Sequence, residues 1–150
     1  MDFPQRKHPR LKAYDNSQNG MYFVTICTRD RMPVLGAVRN NIFYPSDWGS
    51  LCCSYLEEIP NHYEGVFLDQ YVVMPDHIHV LLLLDDAALN GGHGSGRPTL
   101  MNIIHAFKRL TAKAAGADLW QSSFYEHVVR NETDLHEIRA YIQNNPVTRE

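Results

Sequence analysis

Two histidines one residue apart, His77-Ile78-His79, are the first candidates for chemistry in this 150-residue sequence. They follow the turn Met74-Pro75-Asp76 and lead into the apolar run Val80-Leu81-Leu82-Leu83-Leu84. On a strand, residues i and i+2 project to the same face, so the two imidazoles would stand side by side. Neutral imidazole is a common ligand for divalent metals, and a pair at the start of a strand can share one ion. Two partly buried, hydrogen-bonded histidines satisfy the same pattern. Several metal-site architectures use this spacing and can be separated. An amidohydrolase barrel needs a longer chain. A zinc finger needs paired cysteines. A cupin jelly roll needs an all-β chain with a later Glu and His. What remains is an ion held by this pair and by something distant in sequence.

The last expected helix, residues 132–144, supplies distant candidates. Its Leu135, Ile138 and Ile142 recur at helical spacing and form the apolar stripe. Tyr141 and Asn145, at i and i+4, fall one turn apart on one flank of that stripe, with Asp134 below them. A side chain there is held at the edge of the core and still reachable. A packing tyrosine and an ordinary residue before Pro146 fit the pattern equally well.

The rest of the chain must position these groups. Residues 1–19 are polar and Pro-containing and end in Asn19-Gly20, which reads as a basic arm and a turn. Residues 21–28 are β-branched and aromatic, a strand. Residues 30–45 read as loop with at most a short strand. Ser46 caps a helix to about His62, with Leu51, Tyr55 and Ile59 on its apolar face. Strands over 66–74 and 77–84 are joined by Pro75-Asp76 as an antiparallel hairpin. The stretch 90–96, NGGHGSG, reads as a flexible loop and lacks the Gly-Lys-Ser/Thr ending of a phosphate loop. Thr99 caps a helix to about Ala115 with Leu100, Ile103, Ile104, Phe107 and Leu110 on one face, and Gly116 ends it. Phe124–Val129 is a fourth strand, and Asn131 caps the last helix. The order β-α-β-β-α-β-α predicts a single α+β domain over 1–150. Its antiparallel sheet is ferredoxin-like, with one added C-terminal helix.

Composition sets the class. Hydrophobic residues make up 44% and charged residues 21%, ordinary for a globular chain of one domain. No apolar stretch is long enough to span a bilayer, and the start has no apolar leader segment. Cys27, Cys52 and Cys53 form no CxxC pair, which predicts reduced thiols and a cytoplasmic protein. The net charge of −3 hides an uneven distribution. Residues 1–12, with Arg6, Lys7, Arg10 and Lys12, carry +3, and residues 97–113, with Arg97, Lys108, Arg109 and Lys113, carry +4. Two basic stretches on an acidic body suit a phosphate-bearing partner as well as an unevenly charged surface.

Taken in order, Val72-Val73-Met74-Pro75-Asp76-His77-Ile78-His79-Val80-Leu81-Leu82 resembles the HUH motif of single-tyrosine transposases. Trp120-Gln121, Phe124-Tyr125-Glu126-His127, Val129-Arg130-Asn131-Glu132 and Tyr141-Ile142-Gln143-Asn144-Asn145-Pro146-Val147 are similar to the same family, nearest to its REP-associated branch. HUH alone is unspecific, whereas the ordered set is specific and spans roughly residues 10–147. The resemblance implies that His77 and His79 are metal ligands, Asn145 the third, and Tyr141 the nucleophile. It implies Mg²⁺ or Mn²⁺ as cofactor. It also implies cleavage and rejoining of single-stranded DNA beside hairpins through a 5′-phosphotyrosine. Lys108, Arg109, Lys113 and the basic arm would contact phosphates, and Trp120, Phe124 and Tyr125 would stack on bases. Glu126, His127 and Asp134 are candidates for activating the phenol. Family members often carry Asn where Asp76 stands, and often continue with further basic residues beyond the segment that ends here at Glu150. A homodimer with the tyrosine acting in trans and a monomer with it acting in cis are both compatible with the sequence. A domesticated, non-cleaving hairpin-binding protein is the alternative function.

Overall fold

The computed structural model describes residues 18–88 and 98–145, together with the backbone of 148–149. Most of the basic arm, including Arg6, Lys7, Arg10 and Lys12, lies outside the described residues, as do the glycine-rich stretch and Arg97.

Four antiparallel strands carry the domain: β1 (Gly20–Cys27), β4 (Val66–Met74), β5 (His77–Leu84) and β6 (Tyr125–Val128), in the spatial order β4-β5-β1-β6. This mixed α+β architecture has the expected ferredoxin-like pairing order. Helices α1 (Asp47–His62) and α2 (Leu100–Ala115) cover one face, and α3 (Glu132–Gln143) lies on the other. Each helix starts where a side chain accepts an otherwise orphaned N–H. Ser46 Oγ takes Gly49 N–H at 3.1 Å, Thr99 Oγ1 takes Asn102 N–H at 3.1 Å, and Asn131 Oδ1 takes Asp134 N–H at 2.8 Å. Gly116, at φ 69°, closes α2 in the left-handed conformation that glycine adopts without penalty.

Sandwiching explains the apolar run on β5. Ile78, Val80, Leu82 and Leu84 pack with α1 and α2, while Leu81 packs with Phe23, Val72, Ile138 and Ile142 beneath α3. A central strand covered on both faces has no solvent side for polar residues. His77 and His79 share the face of Leu81, so the pair opens toward α3.

The structure corrects three expectations. Residues 36–45 form a hairpin, β2 (Gly36–Arg39) and β3 (Ile42–Pro45), rather than loop. Its two-residue turn, Asn40-Asn41, has both residues at positive φ (54° and 65°), the geometry asparagine tolerates best after glycine. Backbone strand β7 (Thr148–Arg149) adds parallel to β3. On α1 the buried stripe is Gly49, Cys52, Leu56 and Ile59, offset from Leu51 and Tyr55, which are half-buried. On α2 the fourth turn buries Thr111 and leaves Leu110 exposed. The Thr111 hydroxyl bonds back to Phe107 O at 2.8 Å and accepts the Trp120 indole N–H at 2.9 Å, so a polar side chain is satisfied inside the core.

Gly49 sets how closely α1 approaches the β1–β2 connection. A Cβ there would lie 2.0 Å from the Leu35 carbonyl oxygen, and that carbonyl is fixed by the Ser46 N–H at 2.9 Å. Gly49→Ala is expected to cost about 3 kcal/mol through overpacking. Urea unfolding checks this; an unchanged midpoint would show that α1 can move away.

Candidate active site

The β4–β5 turn places the histidine pair. Met74 opposes His77 in the hairpin, so only Pro75 and Asp76 make the turn, and both are fastened to the chain before β2. Leu35 N–H donates to Pro75 O at 3.0 Å and Thr28 N–H to Asp76 O at 3.0 Å. Alternation along β5 then brings the two imidazoles together, with ring centroids 4.7 Å apart and planes at 69°.

Each ring is oriented through its Nδ1. His77 Nδ1 lies 2.7 Å from Asp76 Oδ1, and His79 Nδ1 lies 2.9 Å from Oγ1 of Thr25, its cross-strand partner on β1. A Nδ1–H donated to oxygen leaves Nε2 with a bare lone pair, the tautomer a metal ligand needs. The His79 Nε2 is buried and has no hydrogen-bond partner among the described residues. An unsatisfied buried nitrogen costs about 1–3 kcal/mol, and a bound cation would satisfy it. Burial, reinforced by the charges of His77 and Arg31, holds the His79 imidazolium pKa down to about 3. Burial also lowers His77, against the opposing pull of Asp76. Both rings therefore favour the neutral, coordinating form.

The sign for stability follows from His79. An unfolded histidine takes up a proton near its ordinary value of about 6.5, while the folded one does so only near 3. Below about pH 6.5 the unfolded state binds the extra proton, so stability falls as pH falls toward the folded value. Between about pH 7 and about pH 5 the metal-free protein is expected to lose about 2 kcal/mol from this residue. Urea melts at the two pH values check it. The loss should shrink in His79→Gln, and an equal loss in that variant would assign the effect elsewhere.

Helix α3 brings the phenol. The Tyr141 ring lies 5.3 Å from the His79 ring and 6.2 Å, edge-on, from Phe23, and Phe23 stacks on His79 at 5.2 Å. Ile138 and Ile142 are buried beside this group, so the apolar stripe presses Tyr141 against the sheet. All of these residues belong to one chain. Two polar clips hold α3 in place. Asp134 accepts from Arg130 N–H at 3.0 Å and lies 2.9 Å from His127 Nε2 on β6. Arg139 donates to both oxygens of Asp69 on β4, at 3.0 and 2.7 Å. Asn145 is half-buried at the end of the helix, where its N–H meets Ile142 O at 3.2 Å; its side-chain amide makes no hydrogen bond among the described residues.

The remaining candidates are distributed differently. Lys108, Arg109 and Lys113 sit on α2, over the sheet face opposite the imidazoles, with Lys108 half-buried and its Nζ 3.5 Å from Ser123 O. Trp120 and Phe124 are buried core residues, so neither presents a ring for stacking; Tyr125 is half-buried. Glu126 is buried opposite Val24, on the α1/α2 side of the sheet, which removes it from the phenol's surroundings. His127 faces α3 and is engaged with Asp134. Thr25 and Arg31 went unnoticed in the sequence, because nothing local marks a threonine across the sheet or an arginine in a loop.

The two imidazoles that the structure brings together are donor types that a divalent ion with open positions accepts, and the Asn145 amide oxygen is a donor of compatible chemistry at the end of the tyrosine helix. Among the described residues no group of three or more His, Cys, Asp or Glu converges, so a closed structural site is not built here. Nor is any helix among them long and apolar enough to cross a membrane.

Comparison with known proteins bears on this arrangement. The family model for IS200-like transposases matches residues 16–145. An uncharacterized protein of Haemophilus influenzae is 30% identical, covering 95% of this chain and 88% of its own. A candidate REP-associated tyrosine transposase of the same organism is 29% identical over 89% of this chain and 73% of its own. Among solved structures, a REP-associated tyrosine transposase bound to a REP hairpin superposes with a TM-score of 0.65 at 21% identity, covering 98% of this chain and 73% of that one. A candidate transposase from Deinococcus radiodurans R1 superposes with a TM-score of 0.51 at 20% identity over 94% and 97% of the two chains.

Proposed function

This chain belongs to the IS200-like transposase family, and from that premise we propose that it nicks and rejoins single-stranded DNA beside hairpins, with Tyr141 as nucleophile. The observation that carries the reading is the meeting of the Tyr141 ring with the His77–His79 pair within one chain. The hairpin substrate is inferred from the solved relative that holds a REP hairpin. His77, His79 and Asn145 would hold Mg²⁺ or Mn²⁺. A bound ion supplies Lewis-acid polarisation of the phosphate and offsets charge on the leaving oxygen. Two imidazole nitrogens in the donor set favour Mn²⁺ over Mg²⁺.

The chain's own residues do the rest. Thr25 and Asp76 fix the two imidazole tautomers. Phe23, Ile138 and Ile142 fix the phenol against His79 and limit water around it. Tyr141 Oη attacks phosphorus, forming a P–O bond as the bond to the 3′ oxygen breaks. The phenol proton is lost, and the 3′ oxygen gains one. The phosphotyrosine conserves the free energy of the broken linkage, so a later 3′-hydroxyl can reverse the step and join strands. Since α3 is clipped to its own β4 and β6, we assign Tyr141 to act in cis.

The test is incubation of the full-length protein with labelled hairpin oligonucleotides bearing single-stranded flanks, plus Mn²⁺, followed by a denaturing gel. A denaturation-resistant protein–DNA band supports the reading. Tight binding without any such band across the panel overturns it in favour of a non-cleaving hairpin-binding protein.

A further inference from the structure

We propose that Arg31 grips the non-bridging oxygens of the DNA phosphate presented to Tyr141. The inference rests on the reading of the site given above and deepens it by assigning a phosphate contact to a residue outside the metal and nucleophile positions.

The connection after β1 is backbone-strained at two consecutive non-glycine residues. Asp30 and Arg31 have φ of 55° and 53°. Left-handed backbone is unfavourable for residues that carry a side chain, and it persists where surrounding contacts over-determine it. Those contacts are present. Thr28 is fully buried; its N–H meets Asp76 O at 3.0 Å, and its hydroxyl lies 2.8 Å from Met32 O and 3.1 Å from Asp76 O. Arg29 N–H donates to Leu119 O at 2.8 Å, and its guanidinium pairs with Asp118.

This fastening delivers one side chain to the site. Arg31 Nε lies 3.2 Å and an Nη 3.1 Å from Asp76 Oδ2, while Asp76 Oδ1 lies 2.7 Å from His77 Nδ1. The guanidinium is thus one carboxylate removed from the first imidazole. About half of the Arg31 side chain, 52%, faces solvent. A guanidinium has five N–H groups in a planar fork, and a single carboxylate oxygen occupies only one edge. The outward edge matches two phosphate oxygens.

An exposed ion pair contributes little, so Asp76 acts as a tether from which the Arg31 guanidinium can be shared with a phosphate, while the Thr28 and Arg29 bonds hold the loop's shape.

The experiment measures binding of a hairpin oligonucleotide with a single-stranded flank, without metal, across a salt series. Removing one cationic group from a single-strand phosphate flattens the slope of log K against log salt by about 0.7. Arg31→Gln is expected to flatten the slope by about that amount and to slow adduct formation about 100-fold at saturating DNA. Arg31→Lys should restore the slope and leave the rate low, because an ammonium cannot chelate two oxygens. Asp76→Asn removes the tether and keeps the cation, so its slope should stay at the wild-type value. An unchanged slope in Arg31→Gln, or a flattening in Asp76→Asn equal to that of Arg31→Gln, would overturn the inference. If the wild-type protein forms no adduct yet Arg31→Gln flattens the slope, the phosphate contact stands and the nuclease reading falls. If the adduct forms and the slope is unmoved, the reverse holds.

Discussion

Tyr141→Phe is expected to abolish the covalent protein–DNA adduct while leaving hairpin binding within about twofold. The substitution removes one oxygen and retains the ring. The edge contact with Phe23 and the packing on His79 at 5.3 Å are properties of that ring, so α3 should stay in place. Without a phenolic oxygen no P–O bond to the protein can form at this position. The loss should be at least about 1,000-fold, the scale of removing a nucleophile rather than perturbing one. Denaturing gels with labelled oligonucleotide and Mn²⁺ measure the adduct; fluorescence anisotropy measures binding. A surviving adduct would transfer the nucleophile to another residue. Equal loss of binding would mean that the ring's polar group grips DNA rather than attacking it.

The second large effect belongs to His79→Ala. This side chain touches Thr25, His77, Phe23 and Tyr141, and its buried Nε2 has no hydrogen-bond partner among the described residues. Removing it takes away one of two imidazole donors. Loss of a donor or of its supporting partners weakens metal sites by roughly 10- to 100-fold or more, and cleavage should fall by at least about 100-fold with it. The decisive readout is independent of turnover. A ligand that binds only the folded state raises the melting temperature, and more so the tighter it binds. Wild type should therefore melt higher as Mn²⁺ is titrated in, and His79→Ala should not. A cavity will lower the variant's own melting temperature, but the Mn²⁺-induced shift is read within each protein. His77→Ala, nearer the surface, repeats the test with a smaller packing defect. Undiminished shifts in both variants would place the ion elsewhere.

Much of this was legible because it depends on short-range periodicity. Strands β4 and β5 occupy the expected residues, and the i, i+2 histidines share a face as a pleat requires. Stripe residues Ile138 and Ile142 are buried, and Tyr141 lies on their flank, so a helix of ordinary pitch was enough to foresee the phenol's position. The misses share a different cause. On α1 the buried stripe begins with Gly49, whose contribution is the absence of a side chain, and hydrophobic spacing cannot register an absence. On α2, Thr111 is core because two partners satisfy its hydroxyl, a fact of tertiary structure. Hairpin β2–β3 is hard to read because its strands are only four residues long and its turn cue, Asn40-Asn41, is weaker than Asn-Gly. Lys108, Arg109 and Lys113, expected to contact phosphates, lie on α2 over the opposite sheet face, a placement that charge alone does not give. Arg31 and Thr25 reach the histidines only through sheet pairing and a clamped loop.

One consequence follows from β5 being covered on both faces, with donors and core alternating along a single strand. A length change of one residue between Pro75 and His77 would turn both imidazoles toward α1 and α2 and turn Ile78 and Val80 toward α3. Fold and reactivity share one reading frame here. A copy of this protein drifting toward inactivity can keep its shape only by swapping letters, never by gaining or dropping one in this stretch. Silent descendants that still fold should therefore carry exchanged residues at 77, 79 or 141 on an unbroken ribbon.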